Sequence, residues 1–284
     1  MQETHDHFSI SNNITLFQGD CVDLLKQIPD NSISLIVTSP PYNIGKEYEK
    51  KAKIHDYYDW QKHVIGECHR VLKSDGSLCW QVGNYVDNGE VIPLDLLLYP
   101  IFTELKMKMR NRIIWHFGHG LHASRRFSGR HETIMWFTKS DNYFFNLDPV
   151  RIPQKYPNKR YFKGDRKGEL SCNPNGKNPS DVWDIPNVKN NHVEKTDHPC
   201  QFPVGLIERL VLSMTKELDI VFDPFVGSGS SLVASLMHNR KCVGSEMEEK
   251  YINIAKDRIQ KTLNGEIKVR EMNKPIYKPN NLDI

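Results

Sequence analysis

Two loops in this chain hold residues whose types and spacing could do chemistry. The first, Asp223-Pro224-Phe225-Val226-Gly227-Ser228-Gly229-Ser230-Ser231, follows a buried apolar run and opens a helical one. Closely spaced glycines at such a junction let the backbone turn sharply and approach a ligand. Free N–H groups at a helix start favour an anion, phosphate or carboxylate. No Gly-Lys-Ser/Thr is present, so this is not a P-loop for nucleoside triphosphates, and the spacing also misses the dinucleotide GxGxxG. Glu246, at the end of the following strand, can accept hydrogen bonds from both hydroxyls of a ribose. Loop and acid together read as a nucleoside site; a glycine-rich connector beside a solvated acid is the alternative.

The second loop, Thr38 to Asn43 (TSPPYN), ends the uncharged β-rich run Ser32 to Val37. Its two prolines forbid continuation of the strand. Ligands bind outside strand ends on one edge of a doubly wound sheet. Taken alone, Pro-Pro-Tyr also fits a proline turn with a packed tyrosine.

The elements that must position these loops follow from periodicity. Ile14 to Phe17, Ser32 to Val37, Gly76 to Val82, Leu218 to Phe222 and Lys241 to Gly244 read as strands. Arg112 to His116 and Thr133 to Phe137 read as two strands near the sheet edge. Helices are expected after Asp20, over 57–72, 94–105, 203–214 and 230–238, and from about 250 to 263. Alternation of strands and helices predicts an α/β fold with a doubly wound, mostly parallel, Rossmann-like sheet. Residues 141–197 are rich in Asn, Pro, Lys, Arg and Gly, and are expected to be an insertion that adds nothing to that sheet.

Composition excludes several classes. Apolar residues make up 38% and charged residues 26%, a globular balance. No apolar run is long enough to span a membrane. Residues 1–11 lack the basic-then-apolar pattern of a secretory signal. Six scattered cysteines without a CxxC pair argue against a disulfide framework or a zinc site, and for a cytoplasmic setting. The net charge of +3 does not by itself identify a nucleic-acid partner, so clustering of the basic residues matters.

TSPPYN, FDPFVGSGSS, the GSEMEEKY segment and HPCQFP together resemble the amino-methylating DNA methyltransferases of restriction–modification systems. The SPPY tetrapeptide comes before the glycine loop, a circularly permuted order similar to the β group of that family. The resemblance covers most of residues 12–262. It implies a catalytic half over 12–140, a target-recognition insertion over 141–197, a cofactor-binding half over 198–264 and a polar tail over 265–284. It also implies S-adenosylmethionine as cofactor and no metal. Duplex DNA is the implied substrate; a homodimer and a cognate restriction endonuclease acting on the same site are the further partners it suggests.

By the same resemblance, Ser39, Pro40, Pro41 and Tyr42 are the catalytic residues. Asp223, Pro224, Phe225, Gly227, Ser228 and Gly229 belong to the cofactor loop, with Asp223 and the glycines against the methionine part. Glu246 takes the ribose hydroxyls. Asp20, with Cys21 beside it, contacts the adenine amino group, although Asp20 also suits a helix N-cap. Phe202 stands where the family's HPxQKP-like segment has lysine, so no role is carried onto it.

The residue chemistry agrees with that assignment. An exocyclic amine is a poor nucleophile because its lone pair is delocalised into the ring. The Ser39 hydroxyl and Pro40 carbonyl could accept its two hydrogens and localise the lone pair, making the site's work positioning and electrostatics. Tyr42 offers a face for a base taken out of the duplex. Family members with SPPY commonly act on cytosine N4 and those with DPPY on adenine N6, so Ser39 favours cytosine, with adenine N6 the alternative. An RNA methyltransferase and a catalytically inactive DNA-binding protein are remoter readings. Pro199-Cys200-Gln201 mimics the nucleophilic cysteine loop of cytosine-C5 enzymes, but it precedes the cofactor loop and is expected only to pack.

Two basic segments suit DNA. Lys159, Arg160, Lys163 and Arg166 are interleaved with Tyr156, Tyr161 and Phe162, and Arg125, Arg126 and Arg130 lie in SRRFSGR. Solvated basic loops are the bland alternative. Arg130-His131-Glu132 starts an apparent strand and could shape the base pocket or form a structural salt link. Asp181-Val182-Trp183 is similar to a segment common in the family, with Trp183 expected in the core.

Overall fold

The uncharged run Ile33–Thr38 is buried along its whole length and forms the middle strand of a nine-stranded sheet. The computed structural model describes residues 3–45, 51–118, 120 and 122–276. In chain order the elements are β1 (Thr4–His5), β2 (Ile14–Gln18), α1 (Cys21–Leu25), β3 (Ile33–Thr38), α2 (Ile54–Val71) and β4 (Leu72–Val82). Next come β5 (Asn84–Asp87), β6 (Glu90–Pro93), α3 (Leu94–Glu104), β7 (Lys108–His116), β8 (His131–Thr138) and β9 (Val182–Asp184). The chain continues with α4 (Val204–Met214), β10 (Ile220–Asp223), α5 (Ser230–Met237), β11 (Lys241–Glu246) and α6 (Glu249–Leu263).

The sheet order is β1-β2-β11-β10-β3-β4-β8-β7-β9, with β5 and β6 as a separate hairpin. Strands from β1 to β4 run parallel to their neighbours; β8 is antiparallel to both β4 and β7. This is the doubly wound, mostly parallel architecture expected from the sequence. From β3 the chain passes through α2 to β4 on one side, and from β10 through α5 to β11 on the other. The crevice outside the carboxyl ends of β3 and β10 is therefore a topological switch point, where such sheets bind ligands. TSPPYN leaves β3 and the glycine loop leaves β10, so both open onto it.

Side-chain alternation builds a core on each face of the sheet. Ile36 and Phe222 join Val64, Ile65 and Cys68 of α2, whose three- and four-residue spacing makes one buried helical stripe. Leu35, Val37 and Val221 point the other way, against Leu206, Leu210 and Val211 of α4. Each Val or Leu so buried contributes roughly 1.5–3 kcal/mol, which anchors the strand ends that carry the loops.

Three expectations change. Residues 141–197 do contribute to the sheet, because β9 pairs in parallel with β7 at its edge. Three residues are too short to show a period, and Trp183 anchors the strand with its ring in the core and its indole N–H on the Ser180 carbonyl at 2.6 Å. Strand β4 starts at Leu72, before Gly76, because Leu72 pairs with Ile33 and Ser77 with Leu35 across a register shift. A Cβ on Gly76 would lie 2.9 Å from the Ser34 carbonyl, so glycine permits the close approach. The polar tail is tied down at its start: Ile267 and Val269 pack against the α4 side, and the Arg270 N–H donates to Glu194 at 2.9 Å. Its end, 277–284, lies outside the described residues. Among the described residues no helix is long and apolar enough to cross a membrane.

Candidate active site

A cavity of about 440 Å³ lies at the switch point and takes its walls from both loops. The wall that carries TSPPYN is built first by β3, which delivers Ser39 to the crevice. Asn43 then turns the chain with φ of 60°, a left-handed conformation that Asn tolerates better than most residues. Its side chain is clamped on Ala52, accepting from the amide N–H at 2.6 Å and donating to the carbonyl at 2.9 Å. The Tyr57 hydroxyl of α2 donates to the Pro41 carbonyl at 3.0 Å, fixing the proline turn from below.

Ser39 Oγ lies 2.9 Å from the Tyr42 hydroxyl, which donates to Glu132 Oε2 at 3.0 Å. Gln81 Nε2 donates to the same carboxylate oxygen at 2.7 Å. The four side chains come from the β3 loop, β4 and β8, and all line the cavity. Burial pushes the Glu132 carboxyl up, while the bonds from Gln81 and Tyr42 oppose that shift. Burial, joined by the Glu132 charge, raises the Tyr42 phenol well above its ordinary value.

The opposite wall is the glycine loop. Gly227 has φ of 52°, and a Cβ there would lie 2.9 Å from His198 Nε2, so only glycine fits. Glu246 accepts from the Gly227 N–H at 3.0 Å and from the Glu248 N–H at 2.9 Å, which joins the end of β11 to the loop. Its carboxyl is pushed up by burial, against those backbone bonds. Arg258 of α6 backs the loop, donating to the Ser228 carbonyl at 2.8 Å and to Ser230 Oγ at 3.0 Å. Burial lowers its guanidinium to about 10. Phe225 packs between Trp60 and Trp80, with ring centroids 5.5 and 6.3 Å away.

Most residues singled out in the sequence meet here. Ser39, Pro40, Pro41, Tyr42, Asp20, Cys21, Pro224, Phe225, Gly227, Ser228 and Glu246 all line the cavity. Asp20 also caps α1, its carboxylate accepting from the Val22 N–H at 2.8 Å, so the two roles are compatible. Burial pushes the Cys21 thiol far up, with Asp20 adding to the effect. Asp223 and Gly229 stand behind the wall. Asp223 is fully buried; Thr38 and Ser231 hydroxyls each donate to it at 2.5 Å, and the Phe225 N–H at 3.0 Å. Held by those three bonds, it shapes the loop from inside the wall. Gly229, at φ of 81°, caps α5 and faces Ala255.

The basic residues lie away from the cavity wall. Arg125 and Arg126 are exposed on the connection from β7 to β8, and half-buried Arg130 donates to the Gly129 carbonyl at 2.9 Å. Lys159, Arg160, Lys163 and Arg166 are exposed on a hairpin-like excursion held by Tyr161 N–H to Glu169 at 3.0 Å and Ser171 N–H to Lys159 at 2.9 Å. Arg166 stacks 4.6 Å from the Tyr161 ring centre.

Sequence reasoning missed Trp60, Gln81, Trp115, Asn187 and Lys189, all in the cavity wall. Gln81 had a usable signal, as a polar residue near the carboxyl end of a buried strand. Asn187 and Lys189 had none, because only the tertiary path of the insertion brings them there.

The N6/N4 family model described as DNA methylase matches residues 33–257. The chain is 54% identical over 241 residues to the type II methyltransferase M.BglII of Bacillus subtilis, covering 84% of this chain and 67% of that one. It is 34% identical over 250 residues to the DNA adenine methyltransferase YhdJ of Escherichia coli K12, covering 86% and 82%. A solved structure described as a putative DNA modification methylase of Thermus thermophilus, complexed with S-adenosyl-L-methionine, superposes with a TM-score of 0.62. That match has 27% identity and covers 88% of this chain and 96% of the other.

Proposed function

The chain belongs to the DNA methylase family of N6 and N4 amino methyltransferases, and from that premise we propose that it methylates the N4 amine of cytosine at a specific site in duplex DNA. Its methyl donor is S-adenosylmethionine. The observation that carries the choice of base is Ser39 at the head of the SPPY turn, in one cavity with the glycine loop and Glu246.

The residues present fit the cofactor. The cavity falls within the ~300–1,000 Å³ of small-ligand sites. Gly227, in its left-handed turn against His198, brings the loop backbone to the cavity, and Glu246 presents a carboxylate for the ribose hydroxyls. N–H groups at the start of α5 would hold the methionine carboxylate, and Asp20 would take the adenine amine. Phe225 gives the wall an apolar face. When bound, the cofactor supplies an electrophilic methyl group on a sulfonium.

This chain's own residues then act on the base. Ser39 Oγ and the Pro40 carbonyl accept the amine hydrogens and localise its lone pair. Tyr42 stacks against the flipped ring, a contact worth ~1–3 kcal/mol. After transfer the nitrogen must lose a proton. Ser39 is hydrogen-bonded to Tyr42, and Tyr42 to Glu132, so the proton has a path ending on a carboxylate. Burial raises that carboxylate's proton affinity.

Adenine N6 is the second reading, favoured by the 34% identity to a protein named as an adenine methyltransferase. Both bases present the same kind of amine to the same acceptors. A homodimer belongs to the proposal through the resemblance to the β group, and an endonuclease cutting the same site through the likeness to a type II methyltransferase. The test is to incubate the protein with mixed-sequence duplex DNA and methyl-labelled S-adenosylmethionine, then identify the labelled nucleoside by mass. N4-methylcytosine is expected; N6-methyladenine would overturn the choice of base, and absence of label on any DNA would overturn the activity.

A further inference from the structure

Phe127 is fully exposed, more so than any other large apolar side chain among the described residues. A lone apolar residue on a surface is ordinary; the setting of this one is not. It lies in the connection from β7 to β8, between exposed Arg125 and Arg126 on one side and Arg130 on the other. The tip is closed on itself, with the Ala123 N–H donating to Ser128 Oγ at 3.1 Å. At the stem, the Phe117 N–H donates to the Arg130 carbonyl at 3.0 Å, and Trp115 pairs with Glu132 across β7 and β8. Trp115, Phe117 and Glu132 all line the catalytic cavity. One hairpin thus holds a cavity wall at its stem and a bare phenyl ring among arginines at its tip.

Arginines beside the ring complement phosphates on both sides of a base step. Apolar wedges inserted between bases unstack them at a cost of a few kcal/mol, and a base taken out for chemistry leaves a gap of ring size in the stack. We propose that Phe127 is a DNA-inserting residue, which fills the gap left by the flipped target base while Arg125 and Arg126 hold the flanking phosphates. This rests on the reading of the cavity as a site for a flipped base. It gives the β7–β8 connection a role in opening the duplex, separate from methyl transfer and from recognition by the insertion.

The test uses the full chain and a duplex carrying the site found methylated in plasmid DNA from cells expressing the protein. Single-turnover methylation is measured for wild type, Phe127→Ala and Phe127→Leu on the paired duplex, and on the same duplex with a mismatch at the target. Phe127→Ala is expected to be at least about tenfold slower on paired DNA, with Phe127→Leu in between, because a wedge offsets the cost of unstacking. On mismatched DNA, where the base is already unpaired, the variants should approach wild type. Unchanged S-adenosylmethionine affinity shows that the fold and cofactor site are intact. Equal slowing on both duplexes, or none on either, would overturn the wedge. Wild type that methylates no DNA would instead overturn the reading beneath it.

Discussion

The hydroxyl of Tyr42 donates to the carboxylate of Glu132, 90 residues later in the chain, at 3.0 Å. That bond joins the turn after β3 to the start of β8, and continues the contact between Ser39 and Tyr42. If the path serves proton removal, Glu132→Gln keeps the shape and loses the acceptor. Single-turnover methylation should fall about a hundredfold, the low end of what positioned acid–base groups supply. Tyr42→Phe keeps the stacking face but cuts the same path, and should cost about as much. In wild type the rate should rise with pH through the Glu132 ionisation, which burial displaces upward. Glu132→Gln should lack that limb. A variant that keeps both the limb and the rate would sink the assignment.

Glu246 ties β11 to the glycine loop and lines the cavity. If it receives the ribose hydroxyls, Glu246→Gln should weaken S-adenosylmethionine binding roughly tenfold to a hundredfold, the scale of hydrogen bonds to a charged group. Calorimetric titration with the cofactor alone reads this directly. Unchanged affinity would place the ribose elsewhere.

Asp223 is held without solvent between β3, β10 and α5, and burial pushes its carboxyl to about 6, against the bonds from Ser231 and Thr38. A carboxyl raised above its unfolded value of 3.8 binds its proton more tightly when folded. Its contribution to stability is therefore full below about pH 4 and is lost as pH rises to about 7, a change on the order of 3 kcal/mol. Denaturant unfolding of wild type and Asp223→Asn across that range should show the wild type losing stability relative to the variant. A constant difference between them would contradict the shift.

Cys200, expected to pack, instead stands exposed on the cavity wall, before the glycine loop rather than after it. Direct transfer to an exocyclic amine needs no thiol nucleophile. Cys200→Ala should keep most of the methylation rate in steady-state assays. Complete loss with normal cofactor binding would restore the covalent alternative.

What could be read from the sequence were features with a period or a fixed turn. Ile33–Thr38 is legible because a strand buried on both faces excludes charge. Gly227 and the SPPY prolines are legible because few other residues can make those turns. Asp223 was legible as a residue of the loop, but nothing in FDPF tells that the Thr38 and Ser231 hydroxyls hold its carboxylate inside the wall. Strand β9 was invisible because its three residues are fixed by Trp183 packing and by pairing with β7, both tertiary effects. The Gln81–Glu132 pair spans 51 residues, and no local pattern announces a bond of that range.

Strand β9 also bears on how such proteins can change the sequence they read. A recognition segment joined only by its two ends could be exchanged between relatives as a cassette. Here residues 141–197, the segment that the family resemblance implies for recognition, donate an edge strand to the sheet and send Asn187 and Lys189 into the cavity wall. A chimaera cut at the outer limits of 141–197 would remove part of its host's own scaffold. Workable exchange points lie farther in, around the hairpin of 156–172, leaving Ser180 through Lys189 with the host.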